Sequence, residues 1–175
     1  MKKYLIVFAL SIFIFNNSQA QEKLKVIATA SMIADMAKNL AGDKMDVECI
    51  VPIGGDPHTY EPTPRDVKLV VSGDIVLMNG LNFEGWLSEL IKNSGTKAKT
   101  FVVTDGIKSI NSVDHANSFD PHAWMDFTLG YKYIENIKNS FIEMDPTNKV
   151  YYEARHDAYL EQLKAADKYL SLIHI

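Results

Sequence analysis

At 175 residues the chain has the length of one domain or a little more, and a hydrophobic content of 47% is ordinary for a folded globule and too high for disorder. Its formal net charge is −4, and removal of a basic leader carrying Lys2 and Lys3 takes it to about −6, which argues against a nucleic-acid partner. An acidic surface is compatible with attracting cations but does not demand it.

The first element in chain order is a targeting segment. Met1-Lys2-Lys3 is basic, Tyr4 to Phe15 is apolar except for Ser11, and Ser18 and Ala20 are small residues suited to a cleavage site. The apolar run falls within the roughly 7–15 residues of a signal-peptide core and short of the ~20 needed to span a bilayer. Residues 1–20 are therefore expected to be a signal peptide, with the mature chain exported. Cys49 is the single cysteine. It lies in the apolar-patterned "VECIVP", so it reads as a core residue and brings no intrachain disulfide. No cysteine follows the leader, so the expectation is a soluble periplasmic protein with no lipid anchor.

"KLKVIATA" (23–30) reads as a strand, followed by a helix capped by Ser31, with Met32, Ile33, Met36, Ala37 and Leu40 at helical spacing and Gly42 as its stop. "MDVECIVP" (45–52) alternates as a second strand, and the Pro- and Gly-rich stretch 52–64 reads as a loop. Pro64 suits the first position of a helix through Ser72. "DIVLMNG" is a short buried strand ending in a turn, "FEGWLSELIKNSG" a helix, and "KTFVVTDG" another strand. Strands alternating with helices predict an α/β fold, an open parallel sheet flanked by helices. After a polar stretch come two helical patterns. One places Phe127, Tyr131, Ile134, Ile137, Phe141 and Met144 on a single face. The other runs from Pro146 to about Tyr169 and is long for so short a domain.

The last six residues, "LSLIHI", break the preceding rhythm. They match an in-frame reading of CTG-TCT-CTT-ATA-CAC-ATC, a transposon-end sequencing adaptor, and residues 170–175 are read as a non-native tail. The alternative is a natural continuation of the helix. His174 is accordingly left out of the site.

Asp-Pro-His occurs twice, at 56–58 and 120–122. Neutral imidazole is the commonest protein ligand for transition metals, and a preceding proline restrains the backbone that carries it. Spacing alone leaves two readings open: His58 and His122 ligate a metal, or Asp-Pro simply forms turns and both histidines lie on the surface. HExxH, CxxC and short-range His pairs are absent from the sequence. Two ligands do not complete a site, since zinc and manganese take at least four donors.

The stretches "IVPIGGDPHTYEPTPRDV", "GDIVLMNGLNFEGW", "DPHAWMD" and "MDPTNKVYYEARHDAYLEQL" occur in this order. Together they resemble the solute-binding subunits of bacterial manganese/zinc/iron ABC importers, over essentially all of the mature chain up to the tail. The resemblance implies two α/β lobes joined by one long rigid helix, with the metal held between them. On that basis residues 21–145 correspond to the N-terminal metal-binding lobe and 146–169 to the start of the inter-lobe helix, and a C-terminal lobe is absent. His58 and His122 match the two metal-ligating histidines of the family's N-terminal lobe. The family's other ligands, a Glu or His and an Asp, belong to the C-terminal lobe. Glu61 and Asp126 are candidates for orienting the histidines or are solvated loop carboxylates. Tyr60 and Trp124 are expected around the site. The loop "INSVDHANSF" is short and holds only His115, which leans toward the manganese or iron branch over the zinc one.

The resemblance implies capture of a divalent metal (manganese, zinc or iron) and its delivery to the permease of an ABC-type importer, with no catalysis. Two rivals use the same histidines, a secreted metallohydrolase and a metal-dependent adhesin. The hydrolase needs an open coordination position and a general base, and neither a recognisable base nor a G-x-S-x-G nucleophile motif is found.

Overall fold

The computed structural model describes residues 22–108, 110–111 and 119–173. The signal segment 1–20, His115 and His174 lie outside the described residues.

Four strands, β1 (Leu24–Ala28), β2 (Met45–Cys49), β3 (Ile75–Met78) and β4 (Lys99–Val102), form one parallel sheet in the order β2-β1-β3-β4. Side chains alternate faces along a strand, and here both faces are apolar. Val26, Ala28, Ile75 and Leu77 enter one core cluster, while Ile27 and Val76 enter the other. A sheet covered on both sides reads as a continuous apolar run, which is why "IVLM" does not alternate in polarity. Helix α1 (Ser31–Ala41), α4 (Phe127–Met144) and α5 (Lys149–Ile173) cover the first face, and α2 (Pro64–Val71) and α3 (Leu87–Ser94) the second. The expected open parallel α/β sheet is what the chain forms.

Several local expectations shift. Ser31 is the first helical residue of α1, and Ala30 occupies the cap position in extended conformation without a side-chain bond. α3 begins at Leu87 and not at Phe83, because the chain from Gly80 to Leu87 is spent on successive turns, with the Phe83 N–H bonded to the Gly80 carbonyl and the Leu87 N–H to that of Glu84; Gly80, Leu81 and Asn82 take positive φ (80°, 55° and 61°). The buried face of α4 is Gly130, Tyr133, Ile134, Ile137, Ser140 and Phe141, so Tyr133 fills the position expected of Tyr131. Pro146–Asn148 forms a 3-10 turn and α5 follows it, holding only Tyr152 fully buried. Cys49 is half-buried against the first core. Burial pushes its thiol up to about 11, as expected of an unreactive packing residue.

The chain passes from β1 to β2 on one side and returns past β1 to β3 on the other. Such a reversal of strand order leaves a crevice beyond the carboxyl ends of the central strands, where open α/β sheets bind ligands. The loops after β2, β3 and β4 all emerge at that edge.

Candidate metal site

The two Asp-Pro-His tripeptides meet at this edge. His58 Nε2 lies 3.2 Å from His122 Nε2, and the ring centroids are 5.2 Å apart. Two nitrogens bound tetrahedrally to one zinc at ~2.0–2.1 Å stand about 3.3 Å apart, so the spacing fits a shared ion. Within each tripeptide the aspartate folds back on its own histidine. Asp56 accepts the His58 backbone N–H at 2.9 Å and the Thr59 hydroxyl at 2.9 Å. Asp120 accepts the His122 backbone N–H at 2.9 Å and the ring Nδ1–H at 2.8 Å. These bonds stabilise the ionised aspartates and hold both carboxyls below the ordinary range, the backbone N–H of the histidine being the larger cause in each case. The bond at Nδ1 also sets the tautomer of neutral His122, leaving a lone pair on Nε2.

The outer end of each Pro-His peptide is held by the segment between β3 and α3. The Trp86 indole N–H donates to the Pro57 carbonyl at 2.7 Å, and the Asn79 side-chain amide donates to the Pro121 carbonyl at 3.0 Å. Asn79 is fully buried; its side-chain oxygen accepts from Tyr133 Oη at 2.7 Å and its backbone carbonyl from Thr104 Oγ1 at 2.5 Å. Glu84, also buried, accepts from Thr29 Oγ1 at 2.5 Å and from the backbone N–H groups of Asn79 (2.7 Å) and Gly80 (3.2 Å). Burial raises the Glu84 carboxyl above its usual pKa, more than these three donors lower it. Phe83 sits beneath the pair, edge-on to His58 at 4.7 Å, to His122 at 6.1 Å and to Trp124 at 5.0 Å.

None of Asn79, Phe83, Glu84 and Trp86 was singled out from sequence, where "NGLNFEGW" reads as a turn running into a helix. The available signal was position: an Asn-Gly and an acidic residue directly after a buried strand, at the ligand-binding edge. Of the expected neighbours, Trp124 packs edge-on against His122 at 5.2 Å. Tyr60 instead packs at a tilt against Trp86, ring centroids 5.3 Å apart, and donates to Asp66 at 2.9 Å. Asp126 caps α4, accepting from Thr128, and Glu61 is exposed, so both follow the solvated-carboxylate reading. Among the described residues no third His, Cys, Asp or Glu joins the histidine pair in a metal-sized cluster, and His156 lies on α5 bonded to Asp157.

The family model for the periplasmic component A of zinc-uptake complexes (ZnuA) matches residues 26–172. The metal ABC transporter substrate-binding lipoprotein SsaB of Streptococcus sanguinis is 44% identical over 161 residues, which is 87% of this chain and 52% of that protein. The iron ABC transporter substrate-binding lipoprotein MtsA of Streptococcus pyogenes serotype M1 is 45% identical over 155 residues, 84% of this chain and 50% of that one. Among solved structures, the Mn-bound periplasmic metal binding protein of Candidatus Liberibacter asiaticus superposes with a TM-score of 0.76 at 34% identity, covering 80% of this chain and 53% of that chain. The chain thus spans about half the length of the relatives it matches. One expectation is overturned. The streptococcal relatives are named lipoproteins, which conflicts with the expected lack of a lipid anchor. That expectation rested on a missing cysteine after the leader, and a missing residue in one sequence does not carry an exclusion for its kind.

Proposed function

The chain belongs to the family of periplasmic zinc-uptake component A proteins, and on that premise we propose that it is the N-terminal lobe of a solute-binding protein that captures a divalent transition metal for an ABC importer. Residues 21–145 are the metal-binding lobe, and 146–169 begin the helix that leads away from it. His58 and His122 are its metal ligands, the membrane permease of the importer receives the ion, and the periplasm is where capture occurs. The single observation that supports this most is the 3.2 Å approach of two Nε2 atoms from loops 64 positions apart in sequence. The names of relatives and structural neighbours mention zinc, iron and manganese; imidazole donors suit the first two, while manganese favours added carboxylate oxygens. The chain binds its ion and does not convert a substrate. The family is one of substrate-binding components of ABC transporters, which supports this reading.

Zinc and manganese titrations of the chain and of His58→Ala and His122→Ala test the assignment. Each substitution is expected to weaken binding strongly, into the range that only NMR titration still reads, without unfolding the protein. Parental affinity in either variant sinks it.

A further inference from the structure

Both imidazoles hang from peptide units gripped in the same manner at both ends. The Pro57–His58 unit has its carbonyl held by Trp86 and its N–H by Asp56. The Pro121–His122 unit has its carbonyl held by Asn79 and its N–H by Asp120. A peptide unit is planar, so fixing its oxygen and its nitrogen fixes the direction in which the histidine departs. The aspartates are local to each loop. The two outer grips come from one continuous segment, Asn79 to Trp86.

From this we infer that the segment Asn79–Trp86 is a caliper, in which Asn79 and Trp86 are positioning residues that set the separation of His58 and His122 and thereby their affinity for a divalent cation. The inference rests on the proposed ligand pair for its link to affinity, though not for its geometry. Asn79 has no freedom to turn over. Its amide nitrogen faces two carbonyls, Pro121 at 3.0 Å and Gly80 at 3.2 Å, which only accept, while its oxygen takes the Tyr133 hydroxyl. The span between the grips is stiff. Gly80, Leu81 and Asn82 are all at positive φ, a conformation that Leu81 holds only when its surroundings enforce it. Glu84 supplies that enforcement by binding the N–H groups of Asn79 and Gly80, and its bond to Thr29 anchors the turn to the end of β1. Phe83 packs edge-on against both imidazoles and supports the pair from one side. A plain connection from β3 to α3 requires none of these features.

The test uses Asn79→Ser, too short to reach Pro121, and Trp86→Phe, which keeps an aromatic ring and loses the donor. Zinc chloride binding is followed by NMR, so that millimolar affinities are read. Each variant is expected to bind zinc about tenfold more weakly, the lower end of what removal of a ligand-orienting group costs. Because Asn79 acts through His122, Asn79→Ser is expected to add nothing to the loss already caused by His122→Ala, and Trp86→Phe nothing to that of His58→Ala. In the metal-free chain, Asn79→Ser is expected to speed amide exchange at His122 about tenfold and leave His58 unchanged, with Trp86→Phe doing the reverse. Losses that add fully to those of the histidine variants, or exchange that rises at both loops together, overturn the caliper. Should His58→Ala and His122→Ala keep parental zinc affinity, the ligand assignment fails, and the exchange pattern still decides the caliper by itself. If Asn79→Ser does not fold, Trp86→Phe carries the decision, since its half-buried ring is retained.

Discussion

Asp120 shows how much one side chain contributes at the residue scale. A single oxygen, Oδ1, accepts both the backbone N–H and the ring Nδ1–H of His122, so one carboxylate fixes the loop, the ring rotation and the tautomer. An outer acceptor on a ligating imidazole also raises its basicity, and losing one typically costs 10–100-fold in metal affinity. Asp120→Asn retains an oxygen for the backbone N–H and removes the charge. It is expected to weaken zinc binding by roughly tenfold while moving the melting temperature by no more than a few degrees, since the group is solvated; titration and thermal unfolding of the same preparation check this. The histidines themselves were legible in the sequence because a repeated tripeptide is visible without a fold. Asn79, Phe83, Glu84 and Trp86 were not. Their importance depends on which carbonyls and rings come within reach, and a linear spacing does not encode that.

Elements join this sheet through their ends, and two of those joints make sharp predictions. α2 starts at Pro64, and the buried Asp66 accepts from the Thr63 N–H at 2.8 Å, the Thr63 hydroxyl at 2.7 Å and Tyr60 Oη at 2.9 Å. Burial acts to raise this carboxyl, but the combined hydrogen bonds outweigh it and leave the pKa below its ordinary value. A folded-state pKa depressed in this way adds stability above the unfolded value of ~3.9 and loses it as pH falls through the folded one. Asp66→Asn is therefore expected to lower stability near neutrality by about 1 kcal/mol, in the range of a lost helix cap. It should also flatten the acid limb of a melting-temperature profile below about pH 4. The second joint is at Gly42, where α1 ends with φ 54° and ψ −120°. Arg155 of α5 donates to the Asn39 carbonyl there at 2.6 Å, a cation at a helix C-terminus, and Tyr151 Oη donates to Asp43 at 2.7 Å. A methyl group at Gly42 meets the Tyr151 hydroxyl and the Arg155 guanidinium besides imposing a strained backbone. Gly42→Ala is expected to cost about 1–3 kcal/mol in denaturant unfolding, with α5 the first helix to lose exchange protection. The sequence announced Gly42 as a helix stop and Pro64 as a helix start, because both signals are local. It misplaced the start of α3 and the register of α4. The first depends on a turn held by Glu84, and the second on Tyr133 reaching Asn79 across the core.

On the scale of the molecule, the histidine pair stands at the edge of the lobe beside exposed apolar side chains. Ile53 in the loop carrying His58 is 94% exposed, and beside His122 Ile110 and Met125 are 72% and 75% exposed. Scattered exposed apolar residues are ordinary, and these three lie in or beside the loops that carry the histidine pair. The described residues offer the ion few donors. His58 and His122 supply two neutral nitrogens, and no third His, Cys, Asp or Glu clusters with them among the described residues. Half of a tetrahedral shell, and two-thirds of an octahedral one, is then left to water. Metal affinity rises with the number and charge of the ligands and with the rigidity of the site. The caliper provides rigidity, but two neutral donors provide no anionic charge against a dication. The 175-residue chain is therefore expected to bind zinc weakly, with a Kd on the order of micromolar or above, and manganese more weakly still, following the usual order of divalent affinities. Continued by the remaining half of a streptococcal relative, the same lobe is expected to bind at least about a hundredfold more tightly if that half adds anionic donors to the two imidazoles. Isothermal titration of both proteins with the two metals decides the matter. If the chain alone matched the extended protein, two imidazoles could not be the whole ligand set of this lobe, and a donor from the 112–118 stretch, where His115 lies, would have to take part.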